Sequence, residues 1–160
     1  MKKWIERIVW TAGILTVLVG CLRVIVKQGR EIAELKARIY KFKGYFNLTN
    51  EWLHLKNQGK NLKEYFVKKD WHHIAIYGIG ELGQRLVEEL QDSDVIVEYA
   101  IDKKGSNIFS NITIKEPKEE LLPVDAIVVT PVFAYDEVEE ALMDRVDDPI
   151  VSLEDVVFDL

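Results

Sequence analysis

A short apolar segment, three closely spaced glycines and a helical repeat follow one another in this chain, and they constrain its fold more than any other feature. The apolar run Ile74–Tyr77 has the character of a buried strand, and the sequence GIGELG begins directly after it. Leucines then recur every four residues, at positions 82, 86 and 90, which is the period of one helix face. The pattern therefore predicts a strand, a tight turn and a helix in immediate succession.

Each glycine of this turn has a separate role in such a unit. Gly78 permits the tight turn, Gly80 lets the backbone approach a phosphate, and Gly83 lets the helix pack against the strand. The free amides and the dipole at the start of the helix favour an anion. We predict a phosphate-binding turn whose residues are Gly78, Ile79, Gly80, Glu81, Leu82 and Gly83.

A second strand is predicted at Ile96–Ile101 and is followed by Asp102, about 20 residues beyond the glycine turn, where a carboxylate accepts ribose hydroxyls. This position favours NAD over NADP. Lys103 and Lys104 offer the alternative of a 2′-phosphate, and Asp102 has the alternative role of capping the strand or loop. Glu81 would repel a nearby phosphate unless its side chain points away.

Three further segments complete a predicted sheet. The unbroken apolar run of Asp125–Thr130 indicates a buried parallel strand, and we expect Thr130 and Pro131 to line the site at its carboxyl end. Asp136 with Glu139 predicts the start of a helix that continues to about Arg145. Short strands are predicted at Ile112–Ile114 and Pro149–Leu153. The expected fold is a small Rossmann-like α/β domain with a parallel sheet in the order 3-2-1-4-5.

The first part of the chain predicts a membrane anchor. Residues 8–26 are almost entirely apolar, close to the roughly 20 residues that a spanning helix requires. Arg23 near one end and Trp4 and Trp10 near the other fit the two membrane interfaces. The alternative is a lipoprotein signal with Cys21 as the lipidated residue, but the apolar run continues past Cys21. More Lys and Arg follow the span than precede it, which predicts a single-pass protein with its C-terminal domain in the cytoplasm.

A helical stalk is predicted between the anchor and the sheet. Apolar residues in steps of seven, three and four form a heptad seam, which predicts a parallel homodimer unless the seam packs on the chain's own domain; the seam residues are Ile25, Ile32, Leu35, Ile39, Phe42 and Phe46. Gln28 and Gly29 interrupt it. Further helical segments at 50–56 and 61–69 are expected to dock on the sheet through Trp52, Leu53, Leu55, Tyr65 and Phe66. The domains are therefore predicted at 1–27 (anchor), 28–70 (stalk) and 71–160 (nucleotide-binding domain).

Composition and missing motifs narrow the function. A net charge of −6 excludes broad attraction to nucleic acid, and no catalytic residue can be named. The pairs Tyr65/Lys69 and Tyr99/Lys103 have the spacing of short-chain dehydrogenases but the wrong context. Histidines without cysteine or acidic partners do not predict a metal site. The chain also lacks a nucleophile elbow and a Gly-Lys-Ser/Thr phosphate loop.

The segments IAIYGIGELGQRLVEEL, VEYAIDKK, VDAIVVTP and PIVSLEDVV resemble NAD(P)-binding Rossmann-like proteins of cell-surface polysaccharide gene clusters in Gram-positive bacteria. The resemblance extends from about Phe46 to the end, and it is looser to the nucleotide-sugar-binding domains of sugar acyltransferases and membrane-bound sugar dehydratases. It implies ligand binding by Gly78, Gly80, Gly83 and Asp102, and no matching catalytic position.

Three functions remain open from the sequence. The first is a membrane-anchored accessory or sensor protein for envelope polysaccharide synthesis, which binds NAD, NADP or a nucleotide sugar and contacts other envelope-biosynthesis proteins. The second is a subunit of an NAD-dependent oxidoreductase, epimerase or dehydratase that acts on nucleotide sugars. The third is a scaffold that has lost its ligand.

Overall fold

The computed structural model describes the backbone of residues 2–103 and 112–160, and it describes no side chains for residues 2, 4–9, 11, 12 and 14–17. The chain divides into two compact units, Met1–Tyr45 and Phe46–Leu160. The first unit belongs to one long helix, and the second contains the end of that helix and the whole sheet.

Helix α1 runs from Lys2 to Asn57 without a break at Gln28 or Gly29. The separate helical segment expected at 50–56 is therefore the last part of α1. Among the residues that the structure describes, no helix is long and apolar enough to cross a bilayer.

Glycine and asparagine define the turn between α1 and the short helix α2, Lys63–Lys68. Gly59 adopts a φ of +79°, and Lys60 N–H donates to the carbonyl of Leu55 at 3.1 Å, which is the pattern of a Schellman stop. At the start of α2, Asn61 Oδ1 accepts from Lys63 N–H at 2.9 Å and Glu64 Oε1 accepts from Asn61 N–H at 3.1 Å. These bonds give the capping-box-like arrangement that Asn61 and Glu64 predict, although the residue directly before α2 is Leu62.

Five parallel strands form one sheet in the order β3-β2-β1-β4-β5, as the sequence predicts. The strands are β1 (His73–Tyr77), β2 (Ile96–Ile101), β3 (Thr113–Lys115), β4 (Ala126–Val129) and β5 (Ile150–Ser152). Strand order reverses next to β1, because β1 pairs with β2 on one side and with β4 on the other.

Helices cover both faces of the sheet. Helix α3 (Glu81–Leu90) follows β1, a 3₁₀ turn (Val132–Ala134) and helix α4 (Tyr135–Leu142) follow β4, and helix α5 (Leu153–Phe158) follows β5. The prediction that Asp136 and Glu139 cap α4 was wrong. The helix begins at Tyr135, two residues before a helix capped by Asp136 would begin, and its N-cap position is Ala134. Glu139 instead accepts a hydrogen bond from the Tyr135 hydroxyl at 2.7 Å.

Two apolar clusters separate the layers, because alternate residues of a strand point to opposite faces. Ile74 and Ile76 of β1 belong to the cluster that α3 and α5 cover, whereas Ala75 belongs to the cluster beneath α4. The first cluster also contains buried side chains from the end of α1 and from α2, namely Leu48, Trp52, Leu55, Tyr65 and Phe66. Leu53 does not dock as predicted, because it is exposed.

A buried carboxylate joins the lead-in helices to α3. The side chain of Glu89 is 2% exposed. Its oxygens accept from Trp52 Nε1 at 2.7 Å and from Leu62 N–H at 2.8 Å, and Lys56 Nζ lies 3.1 Å away. Two neutral donors and one cation thus compensate the desolvation of the carboxylate.

Replacing Glu89 with alanine should lower the free energy of unfolding by about 2–4 kcal/mol, since it leaves the Trp52 and Leu62 donors without an acceptor. Glu88→Ala is the matched control. Its half-exposed side chain pairs only with Arg85 on the same helix, and the expected change is within about 0.5 kcal/mol. Urea denaturation measures both variants, and equal losses would contradict a special role for Glu89.

Candidate nucleotide-binding site

Three strand ends converge at one edge of the sheet. Gly78 follows β1, Asp102 follows β2, and Thr130 follows β4. These are the central strands, and their carboxyl ends flank the point where the strand order reverses. In open parallel sheets, ligands bind at this position.

Gly78 makes the turn away from β1. Its φ of +90° is a conformation that side chains other than glycine rarely adopt. A Cβ at this position would also lie 2.8 Å from Pro131 Cδ. The Gly78 N–H donates to the carbonyl of Ile101 at 2.8 Å, which joins the turn to the end of β2.

Gly83 allows the first turn of α3 to approach that same glycine. A Cβ added at Gly83 would overlap the carbonyl oxygen of Gly78. Glycine is therefore required at position 83 by close packing between helix and turn.

Gly80, unlike Gly78 and Gly83, has open space beside it. It is exposed, and a Cβ added there would meet nothing within 4 Å. Its φ of −67° and ψ of −166° are open to other residues as well. The chain itself does not require glycine here, and the space in front of Gly80 is open.

The start of α3 offers hydrogen-bond donors to that space. In the described part of the chain, no acceptor is bonded to the backbone N–H groups of Gly80, Glu81 or Leu82, and the first intrahelical bond of this turn is from Gln84 N–H to Gly80. Such amides and the positive end of the helix dipole attract an anion. The Glu81 side chain is exposed, and the Leu82 side chain packs against the core.

Asp102 contacts the glycine turn directly. Its Oδ2 accepts from the N–H of Ile79 at 3.0 Å, while the Ile79 side chain is buried in the core. The carboxylate is half-buried, and the exposed Lys103 follows it. The predicted ribose acceptor and the predicted phosphate turn are therefore adjacent. Lys104 lies outside the described residues.

Thr130 and Pro131 support the turn from β4. The Thr130 hydroxyl donates to the carbonyl of Gly78 at 2.6 Å, and its side chain is 4% exposed. Gln84, which the sequence analysis missed, donates from Nε2 to the carbonyl of Ile79 at 3.2 Å. Its position directly after the last glycine was the available signal. Both side chains hold the backbone of the turn through its carbonyl groups.

Neither tyrosine–lysine pair forms a catalytic unit. The buried Tyr99 hydroxyl donates to the carbonyl of Leu122 at 2.6 Å, and Lys69 Nζ lies 4.9 Å from the centre of the Tyr65 ring. Burial raises the pKa of both phenols, which is the opposite of the activation that a dehydrogenase tyrosine needs.

The histidines have structural partners at the other end of β1. Asp125 Oδ2 accepts from the backbone N–H groups of His73 and His72, each at 2.7 Å, and these bonds hold the pKa of Asp125 below its usual value. His73 Nδ1 lies 2.6 Å from Glu98 Oε1. No group of three or more potential metal-ligating side chains occurs among the described residues.

A surface depression of about 630 Å³ occurs elsewhere, lined by Glu64, Tyr65, Lys68, Lys69, Asp159 and Leu160. No residue of the glycine turn lines it. Its walls carry charges of both signs on surface side chains, without the converging main-chain donors of the turn. Donor geometry, more than depth, identifies an anion site, so the glycine turn is the stronger candidate.

Comparison with protein-family models, with curated proteins and with solved structures finds no match to this chain. The assignment of the site therefore depends on its geometry.

Alanine substitutions at Gly83 and Gly80 should show which of the two glycines the packing of the fold requires. Gly83→Ala should destabilise the domain by about 1–3 kcal/mol or more, because the methyl group overlaps a backbone carbonyl. Gly80→Ala should change stability by less than about 1 kcal/mol, since its methyl group enters open space. Thermal unfolding of both variants tests this contrast. Equal stability of the two variants would contradict the close approach at Gly83.

Proposed function

We propose that this protein binds a nucleotide at the glycine turn and serves as a membrane-anchored accessory or sensor protein. The observation that carries the proposal is the set of N–H groups at Gly80, Glu81 and Leu82, which have no acceptor among the described residues and lie beside the open space at Gly80. Backbone donors at a helix start are suited to a pyrophosphate, whose charge they stabilise without a cationic side chain.

The ligand is proposed to be NAD, with NADP or a nucleotide sugar as alternatives of the same chemical class. Asp102 supports the assignment because its carboxylate lies beside the turn, bonded to the Ile79 amide. A carboxylate has two oxygens and several acceptor positions, which suits it to ribose hydroxyls. The Asp102 charge also contributes, after burial, to the raised pKa of Tyr77.

Binding is favoured over catalysis because the polar side chains at the turn form hydrogen bonds that hold its backbone. Thr130 and Gln84 donate to turn carbonyls, and Asp102 accepts from a turn amide. A general acid or base instead needs a free, positioned proton-transfer group within reach of substrate. The role in envelope polysaccharide synthesis follows from the sequence resemblance.

The anchor is part of the proposal and has its own support in the sequence. Residues 8–26 contain 18 uncharged residues and Arg23, and the excess of basic residues beyond them favours a cytoplasmic nucleotide-binding domain. In bacterial membranes, the full chain should resist extraction at alkaline pH, whereas a chain that begins at residue 28 should be released. Release of the full chain would remove the anchor from the proposal.

Thermal shift of the full chain in mild detergent tests the binding function. NAD, NADP and uridine-diphosphate sugars are added separately. A ligand present at about a hundred times its dissociation constant should stabilise the folded state by about 2.7 kcal/mol, which corresponds to a melting-temperature rise on the order of 10 °C.

Two variants show whether the stabilisation comes from the turn. Gly80→Asp places a carboxylate in the open space and should abolish the shift, while Asp102→Asn should weaken binding of ligands that contain ribose. Lys68→Asp in the separate depression is the control and should leave the shift unchanged. Absence of a shift with every ligand would refute the function, and turnover of a nucleotide sugar by the purified protein would establish an enzyme instead.

A further inference from the structure

One face of α1 carries large exposed apolar side chains that begin at Ile25, near the end of the predicted anchor. These residues follow one another at steps of seven, three and four, and each is between 53% and 75% exposed. They are Ile25, Ile32, Leu35, Ile39, Phe42, Phe46 and Leu53. We name this set the exposed seam. Leu53 continues the repeat seven residues after Phe46, so the seam is longer than the sequence analysis recognised.

Within the second unit, the same helix has a separate face that packs on the sheet. Leu48, Trp52 and Leu55 are each at most 5% exposed, whereas Phe46 and Leu53 are exposed. With 3.6 residues per turn, Leu53 lies roughly 130° around the helix from the packed face. Packing on its own domain therefore does not account for the apolar residues at these two positions.

We propose that a second copy of this chain covers the exposed seam and forms a parallel two-stranded coiled coil. In heptad notation, positions a carry Ile25, Ile32 and Ile39, and Leu35 occupies a position d. β-Branched residues at a with leucine at d favour two parallel strands.

The exposed area matches what a stable dimer needs. Beyond the proposed membrane span, two phenylalanines and four aliphatic side chains, each more than half exposed, present on the order of 600 Å² per chain, against about 800 Å² per partner in stable complexes. An unpaired seam of this size would be unusual on a monomer. A second identical helix matches the seam at every step, because it has the same repeat.

Charges beside the seam contribute one attractive and one repulsive pair to a parallel dimer in register. In a parallel dimer, a residue at g faces the residue at e five positions further along the partner. Glu31 then faces Lys36 of the second copy, which is attractive, and Arg38 faces Lys43 of the second copy, which is repulsive. In an antiparallel dimer, position g of one chain faces position g of the other. Arg38, at position g, would then not face Lys43, at position e.

Disulfide trapping in the full chain tests the arrangement. In a Cys21→Ser background, Gln28→Cys and Leu35→Cys place single thiols at two d positions, and Ala37→Cys places one on the outer face as a control. Disulfide formation requires Cα atoms within about 7 Å. A parallel dimer predicts that both d variants cross-link under mild oxidation in detergent and that Ala37→Cys does not. Cross-linking at only one d position would indicate antiparallel helices, and equal cross-linking at all three would indicate random collision; either overturns the proposal.

Oligomeric state supplies a second readout that is independent of nucleotide binding. By light scattering, the full chain should be a dimer, Ile39→Asp a monomer, and the outer-face control Ala37→Asp still a dimer. Arg38→Glu should strengthen the dimer several-fold, because it replaces the repulsive pair by an attractive one, whereas Lys41→Glu, with the same charge change outside the seam, should not. A monomeric full chain, or weakening by Arg38→Glu, would overturn the parallel dimer.

Discussion

The close approach of Gly83 to the carbonyl of Gly78 is the contact on which the rest of the site depends. It brings the first turn of α3 against the end of β1. The same carbonyl accepts the Thr130 hydroxyl from β4, and the neighbouring Ile79 amide donates to Asp102 after β2. One short turn thus joins three strand ends and a helix start. With the turn held from several sides, the helix amides that lack an acceptor among the described residues are held in place, which would reduce the ordering cost of the proposed binding.

Much of this fold follows from local sequence patterns. The glycine turn and the capping residues at Asn61 were predicted because each depends on residues close together in the chain. The strand order was predicted from the succession of strand and helix patterns and the connection rules of parallel sheets. Gly78 and Gly83 were assigned roles that the backbone geometry now explains: a positive φ at one and an overlap at the other. The open space at Gly80 has the character expected of a position where a ligand approaches.

Other features could not be predicted, since they depend on which distant groups meet. Glu89 follows Glu88 in the sequence, and only the arrival of Trp52 and Leu62 distinguishes the buried carboxylate from the exposed one. Thr130 was expected to line the site, yet its hydroxyl is used on the Gly78 carbonyl. Leu53 was expected to dock on the sheet together with Trp52 and Leu55, but it is exposed. One residue along an α-helix turns the side chain by about 100°, so Leu53 points away from the face that Trp52 packs.

The central claim is that the amides at the start of α3 bind a nucleotide phosphate. Titration of ¹⁵N-labelled full chain with NAD, followed by amide NMR, tests this claim residue by residue. The account predicts that the largest shifts occur at Gly80, Glu81 and Leu82, while amides of the depression at Lys68 and Lys69 do not move. Shifts confined to that depression, or a spectrum unchanged by NAD, NADP and nucleotide sugars alike, would contradict it.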